Sequence, residues 1–338
     1  MKIIIWGTGK GSAKITEYIK KYIGILDIEI VAYADNNKDM WGKVYNGKSV
    51  LSPENIYQYG YDFIVAASVK HEFIKKQCIE ELGLTEDKII SSYELRRSLY
   101  ALNQYYKKYG REDNCIKKDI GKIVVYTVNF GNYDDLQDPL YIDENIKYVC
   151  FTDNKKFNSS VWDVHYIDTS NESSLPLCVR YYKFFPYKLF PEYDLSVWVD
   201  SKYQIVGDLR EYIKTYHRKE PMLCFPHFER DCLYDEAKEC IQIGKGNPVM
   251  LGGQMYNYFM DGYPENNGLY EGGCLVRWHH NDKLKKVMQE WWEEINKYSL
   301  RDQVSLPYVC WKNNFDIDIS SLDIVHNCYL EEIGHIAK

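Results

Sequence analysis

Tyr193-Asp194-Leu195-Ser196-Val197-Trp198-Val199-Asp200-Ser201-Lys202 is the stretch on which the reading of this chain turns. Leu195 to Val199 are mostly apolar on both faces, the pattern of a strand buried in the middle of a sheet, and the run ends on a carboxylate, Asp200. Open α/β sheets take their ligands at the carboxyl ends of such strands. An acid there suits a divalent cation held against a diphosphate, as in an enzyme that uses an activated phosphate donor. Taken alone, Asp200 reads more simply as the start of a turn. Its neighbours therefore decide.

Just upstream, the spacing predicts an aromatic and basic helix from Leu177 to Leu189, in which Arg180 and Lys183 stand three apart and share a face. That pair suits the phosphates and leaving group of a nucleotide sugar; the plain alternative is a solvated charge pair. Further back, strands are predicted over Lys122 to Val128, Lys147 to Phe151 and Val161 to Ile167. The first runs into the loop Asn129-Phe130-Gly131-Asn132-Tyr133-Asp134, and the other two end on Thr152-Asp153 and Asp168. Each acid alone is a turn residue, but their recurrence at strand ends points to one rim reserved for a ligand.

Downstream, Pro221 to Pro226 reads as a strand, and Cys232 to Ile243 and Pro248 to Met260 as helices. Glu271-Gly272-Gly273 opens a strand from Cys274 to Trp278 tipped by His279-His280. A double glycine there lets a sugar ring approach, or makes a turn. From Lys283 to Tyr298, Leu284, Val287, Met288, Trp291, Trp292 and Ile295 form one helical stripe, which is core. Arg301-Asp302-Gln303 follows, with Asp302 placed to cap a helix running to about Trp311.

The N-terminal part alternates strands and helices at the spacing of a small parallel sheet. Lys2 to Trp6 is a strand, Gly7-Thr8-Gly9-Lys10-Gly11-Ser12 a glycine loop and Ala13 to Tyr22 a helix, the order of a nucleotide-binding βα unit, although Ser12 stands where a dinucleotide fingerprint has its third glycine. The strand Ile28 to Ala34 ends on Asp35, which suits ribose hydroxyls or a turn with Asn36 and Asn37. Gly7, Gly9, Gly11 and Asp35 are thus the candidate nucleotide contacts of this half, and no nicotinamide cofactor is expected.

These elements predict an α/β protein of two domains, residues 1–92 and 118–338. The joint, residues 93–117, comprises a helix from Glu94 to Tyr109 and the polar run from Gly110 to Asn114. The 338 residues are 45% hydrophobic and 27% charged, with Asp plus Glu at 49 against Lys plus Arg at 42 and a formal charge of −7. With no basic block to offset that charge, a nucleic-acid partner is not expected. No run is long enough for a signal-peptide core or a membrane span, and the ten cysteines include no Cys-x-x-Cys pair, which together predict a cytoplasmic protein with reduced thiols.

Two resemblances extend this reading. Through Trp6-Gly7-Thr8-Gly9, Tyr33-Ala34-Asp35-Asn36 and Leu51-Ser52-Pro53-Glu54, the first half resembles the Rossmann-like domain found ahead of sugar acyltransferases and in bacterial polysaccharide-locus proteins. The second half carries Val125-Tyr126-Thr127, Phe130 to Asp134, Cys150-Phe151-Thr152-Asp153, Arg180-Tyr181-Tyr182-Lys183, Ser196 to Lys202, Glu271 to Arg277 and Arg301-Asp302-Gln303 in order. It resembles a glycosyltransferase-like family, formerly a domain of unknown function, whose plant members act in mucilage and cell-wall work. That resemblance implies a GT-A fold with a mixed sheet, a nucleotide-sugar donor such as a UDP-sugar, and a polysaccharide or other glycan acceptor. It implies Thr127 and Asp153 at the nucleoside, Arg180 and Lys183 at the diphosphate or sugar, and Asp200 at a Mn2+ or Mg2+ ion. Gly131, Glu271, Gly273, Arg301 and Gln303 complete the substrate contacts, and Asp302 is an acceptor-binding acid or general base.

The GT-A metal motif is Asp-x-Asp, and here Lys202 replaces its second acid. Either a distant group such as His227, His279 or Asp302 completes the metal site, or Lys202 itself supplies the positive charge. An alternative of a different class is a non-catalytic nucleotide-sugar sensor that uses the glycine loop.

Overall fold

In the computed structural model, which describes residues 1–22, 27–111 and 120–334, the chain divides into two compact units, Met1–Lys107 and Lys108–Lys338. Residues 112–114 of the expected polar joint lie outside the described residues.

The first unit runs β1 (Lys2–Trp6), α1 (Lys10–Tyr22), β2 (Glu29–Ala34), β3 (Val44–Tyr45), β4 (Lys48–Leu51), β5 (Phe63–Ala66), α2 (His71–Glu80), β6 (Ile89–Ser91) and α3 (Ser92–Tyr109). Its sheet has the order β3-β4-β2-β1-β5-β6, parallel except for β3. Alternation along β1 sends Ile3 and Ile5 to one face, with Ile15 and Ile19 of α1 and Leu95 and Leu99 of α3. Ile4 and Trp6 go to the other face, with Ile74 and Cys78 of α2. Through Leu95 and Leu99 the helix expected in the joint packs in this unit, to which it belongs as far as Lys107.

The glycine loop is built for close packing. A Cβ on Gly11 would come within 2.5 Å of the Ala67 carbonyl oxygen, so only glycine lets the start of α1 sit against the end of β5. Gly11→Ala is expected to destabilise the protein by about 1–3 kcal/mol through overpacking, read as a lower midpoint in urea unfolding.

The second unit continues with β7 (Ile123–Asn129), β8 (Ile146–Thr152), β9 (Asp163–Tyr166), α4 (Leu175–Phe184), α5 (Pro186–Leu189), β10 (Leu195–Val199), β11 (Tyr203–Ile205), α6 (Leu209–Tyr216) and β12 (Met222–Pro226). After these come α7 (Leu233–Gln242), α8 (Pro248–Met260), β13 (Tyr270–Arg277), α9 (Asp282–Lys297), α10 (Asp302–Lys312), β14 (Asp318–Ile319) and β15 (Leu330–Glu332). The main sheet is mixed, in the order β14-β12-β13-β10-β7-β8-β9, with β13 antiparallel to both its neighbours, while β11 and β15 pair separately. β10 is central and buried along its whole length, as its sequence requires. Leu195, Val197 and Val199 face α6, and Trp198 faces α4, α9 and α10.

Two elements depart from expectation. The single helix predicted over Leu177 to Leu189 is two, because Phe185 precedes Pro186 and leaves the helical region at ψ 50°. β13 begins at Tyr270 and passes straight through the double glycine, which is strand and not a turn. Among the described residues no helix is long and apolar enough to cross a membrane. The Cys78, Cys150, Cys224, Cys274 and Cys310 thiols are free and buried.

Candidate active site

β10, β7, β8 and β9 are mutually parallel, so Asp200, the loop after Asn129, Asp153 and Asp168 share one rim of the sheet. Asp200 donates its amide to the Gly273 carbonyl of β13 at 2.8 Å, and its Oδ1 accepts from the Trp198 indole at 2.6 Å. Ser201 beside it donates to the Asp134 carboxylate, which moors the loop after β7 next to Asp200. Gly131 (φ 71°) and Asn132 (φ 49°) give this loop its reversal, and both Asp153 oxygens accept from the Gly131 amide, at 2.9 and 3.0 Å. Asp153 also accepts from Thr169, so it ties two rim loops together.

Lys183 lies behind Asp200. Its ammonium bonds Asp302 Oδ2 at 2.6 Å and stands 3.9 Å from Asp200 Oδ1, over the Trp198 ring. Side-chain exposure falls from 34% at Asp200 to 12% at Asp302 and 6% at Lys183, so the cation forms the floor of the cluster. Burial acts to raise the Asp302 pKa, but the Lys183 ammonium, with Arg180 and Arg301 nearby, outweighs it and holds the carboxyl well below the ordinary carboxylate range. Asp302 is the first residue of α10, Arg301 being the cap position, and its side chain is turned to Lys183 instead of capping the helix.

Local sequence explains how Lys183 is delivered. Ser174 caps α4 and Pro176 sits in its first turn, while Phe184 stacks on Trp291 at 4.1 Å, fixing α4 against α9. At the other end of α4, Arg277 of β13, wholly buried, donates to the Lys183 carbonyl and, at 2.7 Å, to the Tyr126 hydroxyl. That hydroxyl in turn donates to the Tyr182 and Lys183 carbonyls, both at 3.1 Å. A buried cation thus meets the partial negative charge of a helix C-terminus.

Several other expected residues converge here. Gln303 donates to Glu271 at 2.7 Å, and its amide bonds Asp302 Oδ1 at 3.2 Å. Arg180 faces the same segment but spends two donors on the Leu300 and Pro176 carbonyls. Gly272, and not Gly273, faces the cluster: a Cβ on it would lie 2.9 Å from Lys183 Nζ and 3.4 Å from Asp302 Oδ2. Gly273 turns to the opposite face, where a Cβ would press on Tyr203 and Ile324. His227, buried, accepts the Glu229 and Arg230 amides on Nδ1 and directs Nε2 toward Glu236 (3.4 Å) and Glu271 (3.9 Å).

Others do not converge. Thr127 alternates with Tyr126 and is buried on the Val125 face, away from Lys183. Lys202 pairs with Glu332 of β15. His279 follows the end of β13 that lies beside the start of β10, at the rim opposite Asp200, where its Nε2 meets the Phe190 carbonyl at 3.1 Å. Burial, then His280 and Arg277, push its pKa down to about 4. The folded value lies below the unfolded one, so the stability gained from the neutral ring is complete above about pH 6.5 and is lost as pH falls toward about 4. His279→Gln is expected to flatten that part of the stability–pH curve, measured by urea unfolding between those limits.

The donors assigned to a metal ion are not gathered. Among the described residues no group of three or more His, Cys, Asp or Glu is placed to hold one. Asp200 brings a single carboxylate, and the Lys183 ammonium stands 3.9 Å from it and 2.6 Å from Asp302. The described residues therefore assemble no divalent centre from protein ligands alone.

In the first unit, Asp35 accepts from Thr8 at 2.6 Å and from the Asn37 amide at 2.9 Å, so both its oxygens already have partners within the loop. Gly7 needs its φ of 118°, and a Cβ on Gly9 would meet nothing within 4 Å.

Residues 110–337 match the family model of the TOD1/MUCI70 glycosyltransferase-like domain. The chain belongs to this family. Residues 1–90 match the C2185-like N-terminal domain. The family match spans the main sheet of the second unit and every residue of the Lys183 cluster. No curated protein matches the chain. Among solved structures, partial likeness extends to UDP-D-quinovosamine 4-dehydrogenase from Vibrio fischeri, at 14% identity, 27% of this chain, 74% of that chain and a TM-score of 0.21. It extends also to the WbbM bifunctional glycosyltransferase in its apo form, at 14% identity, 57% of this chain, 38% of that one and a TM-score of 0.34. Apo mouse xyloside xylosyltransferase 1 matches at 7% identity over 94% of this chain and 85% of that one, with a TM-score of 0.29. These likenesses are too distant to assign an activity.

Proposed function

We propose that the second unit transfers a sugar from a nucleotide-diphosphate sugar, first among them a UDP-sugar, to a hydroxyl of a polysaccharide or other glycan. The observation that carries this reading is the convergence of Asp200, Lys183 and Asp302 at the carboxyl rim of a central strand, in a chain of a glycosyltransferase-like family. In the reaction the bond from the anomeric carbon to the diphosphate oxygen breaks, and its electron pair leaves with the nucleoside diphosphate. The acceptor oxygen bonds the anomeric carbon, and its proton passes to a base or to the departing phosphate. Negative charge grows on the leaving group, and a fixed cation beside it lowers the barrier without reorganising.

The roles of the two acids differ from the first expectation. A carboxylate as strongly acidic as paired Asp302 is a poor general base, so Asp302 serves here as the buried counter-ion that aims Lys183. In this reading Asp200, the more exposed acid, accepts from a sugar or acceptor hydroxyl. Incubating the full chain with a panel of nucleotide sugars, with and without glycan acceptors, and assaying released nucleoside diphosphate tests the reading. Release stimulated by an acceptor is expected; no turnover and no binding of any nucleotide sugar would refute it.

A further inference from the structure

We propose that Lys183 is the group that receives the donor's diphosphate, occupying the position a divalent ion would otherwise take, so that donor binding requires no metal. This rests on the nucleotide-sugar reading above. The ammonium lies 2.6 Å from Asp302 and 3.9 Å from Asp200, the acid that ends the central strand. An ion on the open side of Asp200 would stand within a few ångströms of a like charge that is buried and cannot swing away. Asp302 already has its counter-charge: Lys183 answers it, and Arg180 and Arg301 add to it.

Lys183 also has the capacity for the task. An ammonium has three donors. Asp302 takes one, and Asp200 lies beyond hydrogen-bonding distance. A compact point charge with spare donors is a recurrent phosphate ligand. Gly272, with no side chain, borders the ammonium. The lysine expected from the altered motif to supply positive charge, Lys202, is instead paired with Glu332, so the sequence position of the substitution and the position of the replacing charge are different.

The test is titration calorimetry of UDP, GDP, CDP and dTDP into the full chain, first stripped with EDTA and then supplied with Mn2+. Binding of one of them in EDTA, unchanged within about twofold by Mn2+, is expected. Because Lys183→Met alone leaves Asp302 unpaired, the double variant Lys183→Met/Asp302→Asn, which removes both charges, is measured beside it. It is expected to fold and to lose at least about tenfold in affinity, one factor of ten per 1.4 kcal/mol. Binding that appears only with Mn2+, or that the double variant retains, overturns the proposal and leaves the nucleotide-sugar reading standing. Absence of binding by any of the four under both conditions overturns both.

Discussion

Lys183→Met is expected to lower the stability of the protein by about 3–5 kcal/mol, because it leaves the nearly buried Asp302 carboxylate without its partner. The loss should be visible as a reduced urea midpoint at neutral pH. Asp302→Asn in the same chain removes the stranded charge, and the double variant should recover most of the lost stability. Donor binding should not return with it. That separation of folding from binding distinguishes a site cation from one needed only for structure.

The second large effect is expected at Asp318, wholly buried at the start of β14. Its Oδ2 accepts the amides of Arg218, Lys219 and Glu220 at 2.7, 2.9 and 3.1 Å, and its Oδ1 accepts the Tyr109 hydroxyl at 3.0 Å. One carboxylate thus gathers the turn after α6 and Tyr109, both within the second unit. Asp318→Ala would strand the buried Arg218 amide and three part-buried donors. A buried donor costs about 1–3 kcal/mol when unsatisfied and the part-buried ones less, for a total of about 3 kcal/mol. Asp318→Asn keeps an acceptor oxygen and should cost less than half as much. Urea unfolding of the two variants side by side checks the ratio.

What the sequence disclosed follows from the range of the interactions. The central strand and its acid were legible, since five apolar residues followed by Asp200 are a local pattern. Arg180 and Lys183 were legible as one face because helical spacing is local too. The Lys183–Asp302 pair, 119 residues apart, and the Arg277–Tyr126 bond, 151 apart, were not, because no periodicity links such partners. Arg277 did leave a trace: an arginine closing the apolar run Cys274-Leu275-Val276 is unusual for a buried strand. The double glycine was visible, but which of the two faces the cluster depends on strand alternation, and that required β13 to be recognised as strand from Tyr270 onward.

Lys202 drew attention by its place in the motif, yet side-chain direction after a strand end is set by what packs there, and β15 lies some 130 residues away. His279 misled for the opposite reason. A histidine at a strand tip looks like a ligand until the antiparallel direction of β13 assigns it to the far rim.

The Arg277 clamp has a kinetic meaning as well. An ordinary surface lysine samples many rotamers and must surrender them to hold a phosphate, a cost of order 1–2 kcal/mol. Lys183 has surrendered them during folding, since its backbone is gripped from β13 and its ammonium from α10. On the proposed reading, a donor arriving at the rim meets a charge already at rest, and the encounter should be governed by the approach of the nucleotide and not by rearrangement of the protein. In such a site, damage to the clamp would appear first as slower capture of the donor, before any change in the chemistry of transfer.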